Sequence, residues 1–198
     1  MTMINRESRL VFLAEPHTAS RAVRRALQKA QGWEYVKPHH AWVPDLIEKG
    51  LITEDFTSLV TLRNPLDVLV TQWRYSHYQD LTFAGWLGEM MGHEEIEFPM
   101  RGIWQCADHF LYYEHLTEDW QHFFPKGPAL ERHSEDRTDK KGHWSDHYQD
   151  KPSWVEYLLS RYESFLTQFG YSIDPMSTPS CTIDETIRFM RRANLKRP

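Results

Sequence analysis

Cysteine is scarce. Cys106 and Cys181 are the only two thiols in 198 residues, so at most one disulfide can form. That excludes a disulfide-stapled scaffold and fits a reducing compartment. Long apolar runs are missing as well. No window approaches the ~20 apolar residues of a membrane-spanning helix. Leu10–Ala14 is too short, and too soon followed by polar residues, to read as a secretory leader. The expectation is a soluble, cytoplasmic protein without a membrane span. An excess of positive charge is also absent. The net charge of -5 argues against a general nucleic-acid binder and leaves room for a local basic pocket. Finally, the pattern G-x-x-x-x-G-K-[ST] does not occur, which lowers the case for an ordinary ATPase or nucleotide kinase.

What is present suffices for one well-packed domain. Hydrophobic residues make up 40% of the chain and aromatics 14%, with 8 Trp. Leu10–Ala14 is an unbroken apolar run, the pattern of a strand covered on both faces. Pro16 and small hydroxylated residues then mark a turn, and Thr18 or Ser20 is suited to cap the helix that follows. Ala22, Val23, Ala26, Leu27 and Ala30 form one face of that helix, which ends near Gly32. Trp33–Val36 reads as a second strand, and Val43, Leu46 and Ile47 as a helix closed by Gly50. Thr57–Leu62 reads as a third strand running into Arg63-Asn64-Pro65-Leu66-Asp67, where Asn64 suits an N-cap and Pro65 the first helical position. Further elements are expected at Phe83–Leu87, Ile103–Ala107, His109–Tyr113, Thr117–Phe124 and Ser153–Phe169, the last ended by Gly170. A short helix is possible over Asp184–Arg192. Alternating strands and helices indicate an α/β fold with a mostly parallel sheet.

In such a sheet ligands bind beyond the C-terminal ends of the strands. Three segments fall there: Glu15–Arg21, Lys37–His40 and Arg63–Thr71. The first places backbone N–H groups at a helix start, a geometry that binds phosphate. In the third, Thr71 follows Asn64 by seven residues, about two helical turns, so Arg63 and the Thr71 hydroxyl can share one anion. The competing reading pairs Arg63 with Asp67 and leaves Thr71 exposed. His39 and His40 are candidate general bases, because an imidazole titrates near neutrality. His143 and His147 stand four apart beside Asp146 without a further ligand cluster, so no metal site is assigned. Glu131–Lys141 is strongly charged and reads as a solvated loop.

These residues resemble the sulfotransferases that use 3′-phosphoadenosine 5′-phosphosulfate (PAPS). The family's first signature is a strand followed by a Pro-Lys/Arg-Thr/Ser-Gly-Thr/Ser-Thr-like loop. Here it is Pro16-His17-Thr18-Ala19-Ser20-Arg21. The second is Arg-Asn/Asp-Pro-x-Asp with a Ser eight residues after the Arg. Here it is Arg63–Asp67, with Thr71 in the Ser position. Tyr113-Glu114-His115-Leu116 is similar to a Tyr-Glu-x-Leu segment. Lys140-Lys141-Gly142, followed by Trp144 and Asp146, is similar to a late basic-Gly segment, and Phe169-Gly170-Tyr171 to the end of the family's last helix. The resemblance covers roughly residues 9–171.

It implies a single domain over 1–198, with its core at about 9–171 and a tail at 172–198. The implied fold is a three-layer, P-loop NTPase-like sandwich. The implied activity is transfer of a sulfuryl group from PAPS to an acceptor hydroxyl, or an amine, releasing adenosine 3′,5′-bisphosphate. Pro16–Arg21 would hold the phosphosulfate, with donors at Thr18, Ser20 and Arg21 and help from His17 if protonated. Arg63, Thr71, Lys140, Lys141 and Gly142 would hold the 3′-phosphate, the charged run 131–141 acting as a lid. His39 or His40 would be the base, with no metal. The acceptor is a small molecule, a glycan or a lipid-linked precursor. Three departures stand out: His17 replaces a basic residue, Ala19 replaces a glycine, and Arg21 replaces a hydroxyl residue. A P-loop-like kinase and a non-catalytic nucleotide-binding protein of the same fold are the alternatives.

Overall fold

The computed structural model describes residues 2–37, 40–76, 80–92, 100–131, 144–149 and 152–171. They fall into two compact units, one drawn from Met1–Arg63 and Met100–Ser134, the other from Asn64–Pro99 and Glu135–Met190.

The first unit is a mixed α/β fold around a five-stranded sheet. Its strands are β1 (Thr2–Asn5), β2 (Leu10–Leu13), β3 (Trp33–Val36), β4 (Thr57–Leu62) and β5 (His109–Tyr112), in the spatial order β3-β1-β2-β4-β5. β2, β4 and β5 are parallel. β1 runs against both β2 and β3. β3 therefore points the same way as β2, and only β1 is reversed. Among the described residues the sheet is therefore mixed, with two parallel and two antiparallel pairings, where a mostly parallel one was expected; the difference is β1, which was not foreseen. It is a four-residue strand with no apolar alternation of its own. It is held as a hairpin arm on β2, with Asn5 opposite Leu10. The Asn5 side chain accepts from the backbone N–H of Ser8 at 3.0 Å, the local bond by which Asn closes a turn on itself. β1 displaces the Trp33–Val36 strand from the side of β2 to the sheet edge.

One face of the sheet buries Met3, Phe12, Leu59 and Leu111 against Val23, Ala26 and Leu27 of α1 (Ser20–Lys29) and Trp120 of α5 (Leu116–Phe123). Burial of these side chains contributes roughly 1.5–3 kcal/mol for each large one and fixes α1 against the sheet. α2 (Val43–Glu48) and two 3₁₀ turns, Ile103–Cys106 and Tyr113–His115, complete this unit. Residues 103–106 thus form a 3₁₀ turn where a helix over Ile103–Ala107 is expected, and Cys106 is a free thiol.

The second unit is helical. It holds α3 (Pro65–Tyr75), α4 (Phe83–Gly92), a 3₁₀ turn at Trp144–His147 and α6 (Pro152–Phe169). Asn64 caps α3 as expected, its side chain accepting from Leu66 N at 2.9 Å, and Pro65 opens the first turn. The Tyr148 hydroxyl, buried, donates to Leu66 O at 2.9 Å and ties the 144–148 segment to the start of α3. Trp73, Phe83 and His147 meet ring to ring, with centroids 5.3–5.7 Å apart. Among the described residues no helix is long and apolar enough to cross a membrane. Asp184–Arg192 lies outside the described residues.

Candidate phosphate-loop site

Four sheet strands of the first unit, β2, β3, β4 and β5, end on the same side of the sheet, and each is followed by a segment of interest. The segment after β2 is a tight turn whose backbone is left-handed at His17 (φ 61) and at Ala19 (φ 64). Left-handed residues alternating with ordinary ones turn successive N–H groups into a shared concavity that suits an anion. The residue at position 19 therefore does need the conformation that glycine adopts most cheaply, and Ala19 adopts it at a cost. Ala19 is also the N-cap of α1, with no side-chain cap bond. This corrects the expectation that Thr18 or Ser20 caps the helix.

Thr18 is spent on holding the turn together. It is fully buried, and its hydroxyl donates to Glu15 O at 2.9 Å. Its one proton being used, it accepts from the Thr61 hydroxyl of β4 at 2.5 Å. The loop is thereby pinned to the neighbouring parallel strand. Arg21 lies exposed on the first turn of α1.

The basic group that reaches the loop is Arg63, at the end of β4. Its Nη1 donates to His17 O at 3.0 Å, and its guanidinium carbon lies 3.9 Å from the centroid of the Tyr113 ring. Arg63 is buried. A buried guanidinium is tolerated where hydrogen bonds and an aromatic face replace water. Tyr113 opens the 3₁₀ turn after β5, in the segment that resembles Tyr-Glu-x-Leu. His17 itself is driven towards the neutral form: burial lowers its pKa most, and the neighbouring Arg63 charge and the adjacent titratable His40 lower it further.

His40 joins the same place from the segment after β3. Its Nδ1 lies 2.6 Å from Ala14 O. A carbonyl only accepts, so Nδ1 carries the proton, and in the neutral ring Nε2 holds the lone pair. His39 lies outside the described residues, as do Lys140, Lys141 and Gly142.

Thr71 belongs to the second unit. It is buried in α3, and its hydroxyl donates to Asp67 O at 3.0 Å, one turn back. It is not the exposed residue of the competing sequence reading. His147 Nε2 lies 3.0 Å from Arg74 Nη2; since a guanidinium only donates, the imidazole accepts there. Among the described residues no group of three or more side chains is placed to hold a metal ion.

Residue-by-residue reading of the sequence passed over Glu15. It is fully buried, and desolvation raises its pKa to about 7 against the lowering effect of its backbone N–H partners. A charged residue directly after the five-residue apolar run Leu10–Ala14 was the available signal. The chain was compared with family models, characterised proteins and solved structures, and nothing matches.

Proposed function

We propose that this chain is a sulfotransferase that moves a sulfuryl group from PAPS to an acceptor hydroxyl and releases adenosine 3′,5′-bisphosphate. One observation carries the reading. The loop after β2 receives, on its own backbone carbonyls, both the candidate base His40 (at Ala14 O) and the candidate phosphate ligand Arg63 (at His17 O). Three segments that the family resemblance singles out thus converge on one strand-to-helix turn within the first unit. A finer fold reading goes with it: a P-loop-like, three-layer arrangement. The adjacent parallel strands β2 and β4, each leading into a loop and a helix, support it.

In this mechanism the acceptor oxygen attacks sulfur in line as the bond from sulfur to the bridging oxygen of the 5′-phosphate breaks. Negative charge grows on that leaving oxygen. The N–H groups of the left-handed turn and the start of α1 stabilise it there. His40 takes the acceptor proton on Nε2, its ring held in the correct tautomer by the Ala14 carbonyl. The acceptor is a small molecule, a glycan or a lipid-linked precursor met in the cytoplasm.

A second reading is favoured by one observation: His17 stands, driven towards neutrality, where the family has a permanent cation. It is a nucleotide-binding protein of the same fold that transfers nothing. Incubation with ³⁵S-labelled PAPS and a panel of hydroxyl and amine acceptors separates the two. The enzyme reading expects label on an acceptor, abolished in His40→Ala. Binding of the bisphosphate without label transfer to any acceptor selects the second reading.

A further inference from the structure

The mechanism above leaves Glu15 without a task, although it is the most deeply buried acid beside the loop, with no exposed surface. Its Oε1 accepts from Arg101 N at 2.6 Å and its Oε2 from Ile103 N at 3.0 Å. Between these two N–H groups sits Gly102, left-handed at φ 75, which opens the 3₁₀ turn Ile103–Cys106. The carboxylate therefore fills a backbone concavity of the kind that binds free anions. Segment 101–106 is fastened on its other side too. A Cβ on Gly102 would lie 3.5 Å from the Trp42 ring, and Cys106 Sγ accepts from Val43 N at 3.4 Å. Residues 42 and 43 follow His40 after a single residue, Ala41.

The backbone of the same glutamate closes the loop, since Glu15 O is the acceptor for the Thr18 hydroxyl. One residue thus has its main chain in the turn of His17 and Ala19 and its side chain in the 101–103 concavity. Stability alone does not account for it. A buried carboxylate is costly, and an apolar side chain of similar size is often neutral or better for the fold. What an apolar residue lacks is a directed, two-toothed grip on a second segment.

We propose that Glu15 is a positioning residue: its carboxylate couples the left-handed turn at 17–19 to segment 101–103, so that neither is ordered without the other. Its consequence for catalysis rests on the sulfotransferase reading, in which the shape of that turn sets the grip on the phosphosulfate. The coupling itself does not.

Hydrogen exchange read by mass spectrometry on the full chain, without nucleotide, tests it in wild type, Glu15→Gln and Gly102→Ala. Gln keeps the size of Glu but turns an amide NH₂ towards N–H donors. Ala at position 102 strains the concavity from its far side without touching the loop. Both variants should speed exchange at 17–20 and at 101–103 together, by about tenfold or more (for free exchange limited by local opening, tenfold corresponds to about 1.4 kcal/mol), with β4 unchanged. Either variant loosening only the segment that carries it would overturn the coupling. Should Glu15→Gln not fold, Gly102→Ala still decides. A second arm measures adenosine 3′,5′-bisphosphate affinity. If wild type binds and the loosened variants bind about tenfold more weakly, the positioning role holds. Equal affinity in the loosened variants would contradict it. A wild type that does not bind the bisphosphate counts against the sulfotransferase reading and leaves the exchange result to judge the coupling.

Discussion

Arg63 donates to the carbonyl of His17 at 3.0 Å, so the end of β4 holds the turn that follows β2. The guanidinium makes this bond from a buried position against the face of Tyr113. A planar fork can bond a carbonyl with one edge and an anion with another; an ammonium group cannot reproduce that geometry. Arg63→Met is expected to weaken adenosine 3′,5′-bisphosphate binding by about 10- to 100-fold, or about 1.4–2.7 kcal/mol. Arg63→Lys should stay about tenfold weaker than wild type despite keeping the charge. Calorimetric titration checks both, and a lysine variant that binds like wild type would show that charge alone matters.

Ala19 sits at φ 64. A residue with a Cβ pays about 1–2 kcal/mol in that region, partly offset by the extra freedom glycine has when unfolded, about 0.5–1 kcal/mol. Ala19→Gly should therefore stabilise the protein by roughly 0.5–1 kcal/mol, raising Tm by about 1–4 °C. Differential scanning calorimetry reads this directly. A lowered Tm would mean that the turn is not left-handed in solution.

Glu15 and His17 make opposite contributions to the pH dependence of stability. The pKa of His17 is lowered from 6.5, so its contribution is present above that value and is lost as pH falls through the folded pKa. The pKa of Glu15 is raised from 4.5 to about 7, so its contribution is full below 4.5 and is lost as pH rises to about 7. Urea unfolding between pH 4.5 and 8 should show wild type losing ground to Glu15→Gln as pH rises across that window. His17→Gln should lose less than wild type below pH 6.5. Reversed slopes would place these groups in different surroundings.

The Tyr148 hydroxyl donates to Leu66 O at 2.9 Å inside the second unit. Tyr148→Phe leaves that carbonyl without this donor and is expected to cost about 1 kcal/mol. Thermal unfolding measures the loss, and an unchanged Tm would show that the bond contributes nothing net.

Much of this was legible in the sequence, and the reasons differ by element. α3 announced itself through Asn64 and Pro65, which act locally at a helix start, and α6 ends at Phe169 before Gly170 at φ 73. The apolar run of β2 pointed to a strand because burial on both faces removes any need for polar alternation. The hairpin of β1 stayed hidden because four residues carry too little periodicity and the strand depends on its pairing with β2. The loop was found, but its handedness was not: the turn through His17 and Ala19 is held by Thr61 on Thr18 and by Arg63 on His17, partners 43 and 46 residues away. Glu15 was missed for the same reason, since its partners lie 86 and 88 residues away.

The most direct test of the central claim is a thermal-shift comparison of adenosine 3′,5′-bisphosphate with ATP on the full chain. A ligand specific for the folded state stabilises by mass action, about 2.7 kcal/mol at a hundred times its Kd. The sulfotransferase account predicts a saturable rise in Tm with the bisphosphate and a smaller one with ATP. Strong stabilisation by ATP with none by the bisphosphate would contradict it.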